Sequence, residues 1–221
     1  MALGMEPSLG WVDKNCAMAI NFDNRSPIDW SPYKNNGSFV GSPVEVAGVK
    51  GKGAIQFNGS SQYTQTNYVL PTTNFSIAIW AKSSTAALTN RPLGAAHADV
   101  GTNGVAIIWG FSNGLYVVAR NNSTSYDLNL TPPTSITSGW HHIVIIVDSV
   151  AGLKIYYDGK QLGANASGTA ITTGNLTLRF GAEAAWGASP SYFNGIIDDA
   201  FIFNRVLSIA EVRELYEQGV A

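Results

Sequence analysis

The chain has 221 residues, a formal net charge of -2 and a single cysteine, Cys16. This charge predicts no broad attraction to nucleic acid or to anionic membranes. One cysteine excludes both an intrachain disulfide and a metal site built on cysteines. No window approaches the roughly 18 consecutive apolar residues of a membrane-spanning helix. Charged residues are only 13% of the chain, so Ser, Thr, Asn, Gln and Gly must cover much of the surface, as in an all-β extracellular or particle-surface domain.

Short apolar runs separated by Gly, Asn, Pro and Ser predict a β-sandwich or barrel. The predicted strands are residues 17–22, 53–58, 63–69, 75–82, 104–111, 114–119, 125–130, 140–148, 153–159, 175–181 and 194–205. In the run FSIAIWAK, the large apolar residues Phe75, Ile77 and Ile79 share one face of the strand, which predicts that this face is turned toward a core. Ser76, Ala78 and Trp80 share the other face. We expect residues 17–221 to form one domain. Residues 1–16 fit no regular element and are predicted to be an N-terminal arm, either disordered or docked on a sister subunit.

One helix is predicted at the end of the chain, in the run LSIAEVRELYEQG. Ser208 is a suitable N-cap, and Glu211 stands three residues later, which together predict a capping box. Apolar residues recur on one face of this helix. Gly219 is a suitable stop signal. The last strand is therefore expected to lead into a short amphipathic helix that docks on the sandwich.

The end of the chain also carries a family resemblance. The segment YFNGIIDDAFIFNRVLSIAEVRELYEQG resembles the closing motif of laminin-G-like jelly rolls in the concanavalin A-like lectin/glucanase superfamily. Five further segments resemble family motifs in the expected order: INFDNRSPIDWSPYKNNGSFVG, GKGAIQFNGSSQYT, FSIAIWAKSS, GWHHIVIIVD and LKIYYDGKQLG. The resemblance covers about residues 17–220, although residues 88–103 match no motif. It implies an all-β fold, a concanavalin A-like jelly-roll sandwich of two antiparallel sheets with one short C-terminal helix. Such sandwiches host lectins, hydrolases, adhesion modules and virion proteins, so the fold does not determine the function.

Catalysis is not predicted. Glycosidases need two carboxylates on either side of the scissile bond, yet only Glu183 stands near a strand end, and no acidic residue alternates with it. His141 and His142 are adjacent in a strand and should point to opposite faces, so they cannot chelate one ion together. The sequence has no nucleophile-elbow motif of the kind that would point to a Ser-His-Asp triad. A glycoside hydrolase is therefore the least favoured function.

A structural calcium ion is the most plausible cofactor. Hard cations prefer carboxylate and carbonyl oxygens. The resemblance makes Asp198 the more regular acid of the Asp198–Asp199 pair, and strand alternation should send the two to opposite faces. Asp23 is the natural second ligand, because the first and last strands of such sandwiches are often neighbours. The alternative is that Asp198 accepts hydrogen bonds from loop amides or pairs with Arg205 or Arg25.

Sugar binding would use aromatic rings that stack on sugar faces and polar groups that form hydrogen bonds with sugar hydroxyls. Loops at 97–104, 121–126 and 183–192 have that composition. The candidate ligand-binding residues are Trp186, Tyr192, Asp99 and Asn103. The alternative is that the aromatic residues cover the edge of the sandwich.

The sequence therefore predicts a non-catalytic β-sandwich that binds or decorates a surface. It starts with its own Met and shows no signal peptide, which is typical of a phage or virus virion protein that is made in the host cytoplasm and then reinforces a capsid or tail, binds glycans, or both. The alternative is a carbohydrate-binding or adhesion module of a larger secreted bacterial protein, which would be extracellular. The expected partner is a glycan or a protein surface, with homo-oligomerisation through the N-terminal arm and no nucleic acid or membrane insertion.

Overall fold

The computed structural model describes residues 12, 15–49, 53–85, 90–96, 104–111, 114–121, 124–125, 128–135, 137–167, 177–183 and 191–220. The helix is α1 (Ile209–Val220), and a short 3-10 turn occupies Asp23–Arg25. The strands are β1 (Cys16–Ile20), β2 (Ser38–Val40), β3 (Val44–Ala47), β4 (Gly53–Asn58), β5 (Tyr63–Val69), β6 (Phe75–Ser83), β7 (Asn90–Ala96), β8 (Gly104–Phe111), β9 (Gly114–Asn121), β10 (Thr124–Ser125), β11 (Leu128–Leu130), β12 (His141–Asp148), β13 (Gly152–Tyr157), β14 (Lys160–Gln161), β15 (Thr177–Phe180), β16 (Ala182–Glu183), β17 (Ser191–Tyr192) and β18 (Asn194–Phe203).

Within these residues the strands form two antiparallel sheets of eight strands each, and β16 pairs separately with β17. The order in the first sheet is β14-β13-β12-β6-β18-β4-β3, and β1 also pairs with β18. The order in the second sheet is β10-β9-β8-β7-β15-β5-β2, and β11 also pairs with β9. The predicted all-β sandwich with one C-terminal helix is confirmed.

The main core lies between the two sheets. Phe75, Ile77 and Ile79 of the first sheet belong to the same buried cluster as Val117 and Phe180 of the second. All five side chains are at most 1% exposed. Burying one such side chain contributes roughly 1.5–3 kcal/mol. The alternation read from FSIAIWAK therefore points the predicted face toward the core.

A second buried cluster lies between the outer face of the first sheet and α1. It contains Phe201 and Phe203 of β18 and Val212 and Leu215 of the helix. The helix begins with the predicted capping box, in which the Ser208 N–H donates to Glu211 Oε2 at 2.7 Å and the Glu211 N–H donates to Ser208 Oγ at 3.3 Å. The cap places the apolar face of α1 against the sheet.

Gly219 lies inside α1 rather than after it, so its predicted role as a stop signal is wrong. The residue is buried, and a Cβ at this position would overlap with the indole ring of Trp80. The Trp80 ring also stacks on Tyr216, with ring centroids 5.7 Å apart. A glycine is present here because the helix backbone approaches the indole closely.

A β-bulge interrupts β18 at its two aspartates. The register against β6 shifts between Asp198 and Phe201, and Asp199 has φ 40°. Ile197 before the bulge and Ala200 after it both belong to the core between the sheets. The pattern of one residue in, one residue out therefore fails between them. The prediction that the two aspartates lie on opposite faces was based on simple alternation. That alternation does not apply at the bulge.

Six strands lie wholly outside the predicted ranges: β2, β3, β7, β14, β16 and β17. All of them except β7 have four residues or fewer. β7 contains Pro92 and Gly94, which mask a strand pattern. Cys16 belongs to β1, so the sandwich starts one residue before the expected boundary. In the described part of the chain, no helix has both the length and the apolar character needed to cross a membrane.

Candidate ligand-binding site

The outer face of the second sheet presents polar and aromatic side chains. In β5, Thr64 and Thr66 are buried, at 0% and 1% exposure, whereas Tyr63 and Gln65 are only half-buried. Successive side chains of a strand point to opposite faces, so Tyr63 and Gln65 lie on the face turned away from the core. The half-buried Arg179 is on the same face, because both of its neighbours in β15 are buried.

Hydrogen bonds hold Arg179 in place on this face. Arg179 pairs with Gln65 in the strand register, and its Nε donates to Gln65 Oε1 at 2.7 Å. Gln65 Nε2 in turn donates to Thr177 Oγ1 at 2.7 Å and to the Thr66 carbonyl at 2.8 Å. The guanidinium carbon lies 4.8 Å from the centre of the Tyr63 ring, within the range of a cation–π contact. The guanidinium is therefore positioned before any ligand arrives.

Tyr192 approaches the same place from β17. β17 pairs with β16, which follows β15 after a turn at Gly181 with φ 84°. The rings of Tyr192 and Tyr63 are 6.4 Å apart between centroids and inclined at 40°. We call Tyr63, Gln65, Thr177, Arg179 and Tyr192 the Tyr63 cluster. Its two amphipathic rings provide stacking surfaces, and its fixed polar groups provide directional hydrogen bonds.

One of the four residues that the sequence suggested for sugar binding lies in this cluster. Tyr192 was named as a candidate ligand-binding residue and lies in the cluster. Trp186, Asp99 and Asn103 lie outside the described residues. Tyr63 and the arginine of β15 were missed, although the alternation in YTQTNYV could have indicated that Tyr63 faces outward.

Backbone amides hold Asp198 and Asp23, the two predicted calcium ligands. Asp198 is 4% exposed. Its Oδ2 accepts a hydrogen bond from the Val49 N–H at 2.9 Å, and its Oδ1 accepts one from the Asp199 N–H at 2.8 Å. Asp23 Oδ1 accepts one from the Gly53 N–H at 2.9 Å. These contacts are the loop-amide hydrogen bonds that the sequence left open as the alternative to calcium.

The charge state of Asp198 follows from the same surroundings. Burial, followed by the negative charge of Asp199 and more weakly that of Asp23, raises the pKa of the Asp198 carboxyl to about 8. Neither Arg25 nor Arg205 forms an ion pair with Asp198, and Arg205 instead pairs with Glu211 at 2.8 Å. Within the described residues, no three Asp, Glu, His or Cys side chains are grouped so as to hold a metal ion. The residues present fit a hydrogen-bonded carboxyl better than a calcium site, and calcium binding stays a prediction.

His141 lies in an arrangement that resembles a Ser-His-Asp triad. Its Nδ1 is 2.9 Å from Asp158 Oδ2, and its Nε2 is 3.3 Å from Ser138 Oγ. The Nε2 atom is also 3.1 Å from the Ser135 carbonyl oxygen, to which the Ser138 hydroxyl donates at 2.6 Å. Both ring nitrogens thus face acceptors, and the serine proton is directed away from the imidazole. A catalytic triad needs the opposite arrangement, so His141 joins a loop to the sheet.

His142 points to the other side of β12, as predicted. Its ring packs beside both Trp80, at 5.1 Å between centroids, and Tyr216, at 6.3 Å. Burial lowers the pKa of His142 to about 3, so the imidazole is neutral at neutral pH. It packs between the helix and the first sheet.

The second sheet lacks the carboxylates of a glycosidase. Its described strands contain no Asp or Glu. Glu183, the acid nearest to the Tyr63 cluster in the chain, lies in β16 and is 0% exposed. Hydrolysis of a glycosidic bond requires two carboxyl groups that reach the substrate, and the described strands of this face do not supply them.

Comparison with known proteins gives a family. Residues 57–213 match the family model described as concanavalin A-like lectin/glucanases superfamily. No curated protein sequence matches the chain significantly.

Several solved structures share the fold at low sequence identity. Domain 4 of a GH43 extracellular arabinanase from Geobacillus stearothermophilus, in complex with arabinotriose, has a TM-score of 0.74 at 18% identity over 91% of this chain and 98% of that domain. The binding domain of Paraclostridial mosquitocidal protein 1 has a TM-score of 0.72 at 18% identity over 92% of this chain and 52% of its own. The binding domain of botulinum neurotoxin DC in complex with SialylT has a TM-score of 0.66 at 15% identity over 93% and 52%. The chain thus spans about half the length of the two toxin domains.

Proposed function

Because the chain belongs to the concanavalin A-like lectin/glucanase superfamily, we propose that it is a non-catalytic glycan-binding domain whose ligand contacts the Tyr63 cluster. The observation that carries this proposal is the arrangement of Tyr63, Arg179 and Tyr192 on an outward face of the second sheet. Tyrosine rings bury apolar area while they keep a hydroxyl for hydrogen bonding, which suits a sugar with one apolar face and a hydroxylated rim.

The similar structures support a binding role rather than an enzymatic one. The arabinanase domain, which this chain covers almost completely, is described in complex with an arabinose oligosaccharide. The two toxin domains are described as binding domains. The lack of Asp and Glu in the described strands of the second sheet points in the same direction.

The cellular setting is also a proposal. The similar structures belong to an extracellular enzyme and to toxins, and they favour a carbohydrate-binding or adhesion module of a larger secreted protein. They give no support to the virion-surface role, the capsid or tail partner, or the assembly through an N-terminal arm that the sequence suggested. Residues 1–11 and 13–14 of that arm lie outside the described residues. Capsid and tail genes beside the coding sequence would favour the virion role again.

The proposal is tested by glycan-array screening of the full chain, followed by calorimetric titration of the best ligand. Tyr63→Ala and Tyr192→Ala should each weaken binding about ten-fold, a loss of about 1.4 kcal/mol. Tyr33→Ala is the matched control, because Tyr33 is 54% exposed and lies outside the cluster. Undiminished binding by both cluster variants, or no glycan bound by the unaltered chain, would refute the proposal.

A further inference from the structure

We propose that the glycan bound at the Tyr63 cluster carries a negative charge, and that Arg179 contacts its carboxylate or sulfate group. This inference rests on the proposed function and names the ligand class of the same site. Three features of the described residues support it: the charged residues of the second sheet's strands, the bonding of Arg179, and the glycine paired with that residue.

The charge balance of the second sheet is one-sided. Its described strands contain Arg91, Arg120 and Arg179 and no acidic residue, although the whole chain has a net charge of -2. The acids of the first sheet's described strands are Glu45, Asp148, Asp198 and Asp199. The charged residues of these described strands are thus all basic, which favours an anionic ligand over a cationic one.

Arg179 retains donors for a ligand. Nε is the guanidinium atom that donates to Gln65, a neutral partner. No described carboxylate forms an ion pair with Arg179, whereas the partly buried Lys154 and Arg205 pair with carboxylates at 3.0 and 2.8 Å. A half-buried cation without a counter-charge is electrostatically unfavourable. A ligand carboxylate or sulfate would supply that charge, and its oxygens match the parallel N–H groups of a guanidinium.

The strand beside Arg179 has a glycine in the paired position. Arg179 pairs with Gly94 of β7, and Gly94 pairs on its other side with Ala106 of β8. A glycine inside a strand often marks a place where a ligand approaches the backbone closely. The register therefore places a position without a side chain next to Arg179, on the side of β15 opposite to β5.

Matched pairs of sugars test the inference. Calorimetric titration of the full chain would compare sialyllactose with lactose, tetragalacturonate with its methyl ester, and a sulfated galactan oligomer with the unsulfated one. We expect the charged member of at least one pair to bind about ten-fold more tightly, as expected for a charge-assisted contact. The preference should shrink at high ionic strength, since salt screens it. The carboxylate and sulfate pairs distinguish the two sources of the charge.

The variants separate a ligand contact from structural support. Arg179→Gln should weaken binding of the charged sugar more than binding of the neutral one and so abolish the preference, whereas Arg213→Gln on the exposed face of α1 should change neither affinity. Arg179→Lys, which keeps the charge without the paired N–H groups, should retain part of the preference. Equal binding of charged and neutral sugars overturns this inference but leaves the proposed function intact. Equal loss of both sugars in Arg179→Gln also overturns it, and no binding to any sugar overturns both proposals.

Discussion

The two sheets of the sandwich differ in what covers their outer faces. β6 of the first sheet is buried over almost its whole length, because one face meets the core and the other meets α1. β5 of the second sheet alternates between buried and accessible residues. A sheet covered on both sides appears in the sequence as a continuous apolar run, and a sheet covered on one side appears as alternation. The first sheet is therefore covered on both faces, while the second sheet keeps an accessible outer face, the one that carries the proposed binding site.

The largest effect should come from truncating the apolar contact between the first sheet and the helix. Phe203 is 0% exposed in the cluster beneath α1. Phe203→Ala should lower the free energy of unfolding by about 3–5 kcal/mol, the usual loss for a buried aromatic residue. Urea denaturation measures this loss. Val150→Ala is the control, since Val150 is 89% exposed. Equal stabilities of the two variants would contradict the role given to the first sheet.

A smaller loss should follow from adding one methyl group between α1 and the first sheet. Gly219→Ala places a Cβ against the Trp80 indole. Overpacking costs about 1–3 kcal/mol, and the better helix propensity of alanine offsets up to about 1 kcal/mol. We therefore expect a net loss of about 1–2 kcal/mol in thermal or urea unfolding. Gly139→Ala should be neutral, because nothing lies within 4 Å of a Cβ there.

The pH dependence of stability should reveal the buried Asp198 in β18, a central strand of the first sheet. Burial raises the pKa of this carboxyl in the folded protein to about 8, well above its ordinary value of 3.8. The folded state therefore binds the proton more tightly, and this contribution is fully present below about pH 4 and lost as the pH rises through about 8. Unfolding free energy should fall with rising pH over that window.

Asp198→Asn should flatten this pH dependence at a cost of about 1 kcal/mol, because the amide can accept only one of the two N–H bonds. A second experiment measures the melting temperature of the unaltered chain during titration with calcium and after addition of EDTA. A calcium-dependent rise in melting temperature that Asp198→Asn abolishes would show that the carboxylates bind the cation after all. No calcium effect would leave the hydrogen-bonded carboxyl as their role.

The smallest effect should come from the second sheet. Arg179→Gln removes the cation–π contact with Tyr63, which is worth about 0.5–1 kcal/mol at an accessible site. Urea unfolding should therefore change by less than about 1 kcal/mol even where sugar binding changes strongly. If Arg179→Gln lowered the free energy of unfolding as much as Phe203→Ala, the two sheets would not differ in their contribution to stability, and the comparison would be wrong.

The sequence predicts the regular elements of this fold best where the pattern is local. β4, β5 and β8 have the predicted bounds, because an apolar or alternating run coincides with each whole strand. β7, NRPLGAA, was missed because Pro and Gly within a strand suppress the pattern, and only pairing with β8 and β15 makes it a strand. Long-range pairing of this kind is not encoded in composition.

The candidate site was less predictable for two physical reasons. The Tyr63 cluster joins residues of β5, β15 and β17, and sequence spacing does not reveal their proximity. Tyr192 was found through its loop composition alone. The surroundings of Asp198 depend on the bulge at Asp199, which has φ 40°. The run NGIIDDAF does not predict this bulge, because it has an aspartate rather than a glycine at the position with positive φ.

The central place of β18 constrains how the chain can fold during synthesis. One edge of β18 pairs with β6, and the other pairs first with β4 and then with β1. It is also the last of the described strands in chain order, so β1 has no strand partner until residues up to 203 have left the ribosome. Such distant pairing makes folding slow, and the waiting strand edges can join with those of other chains. A nascent chain should therefore depend on chaperones until β18 emerges, and cleavage within β18 would leave β1 without its partner.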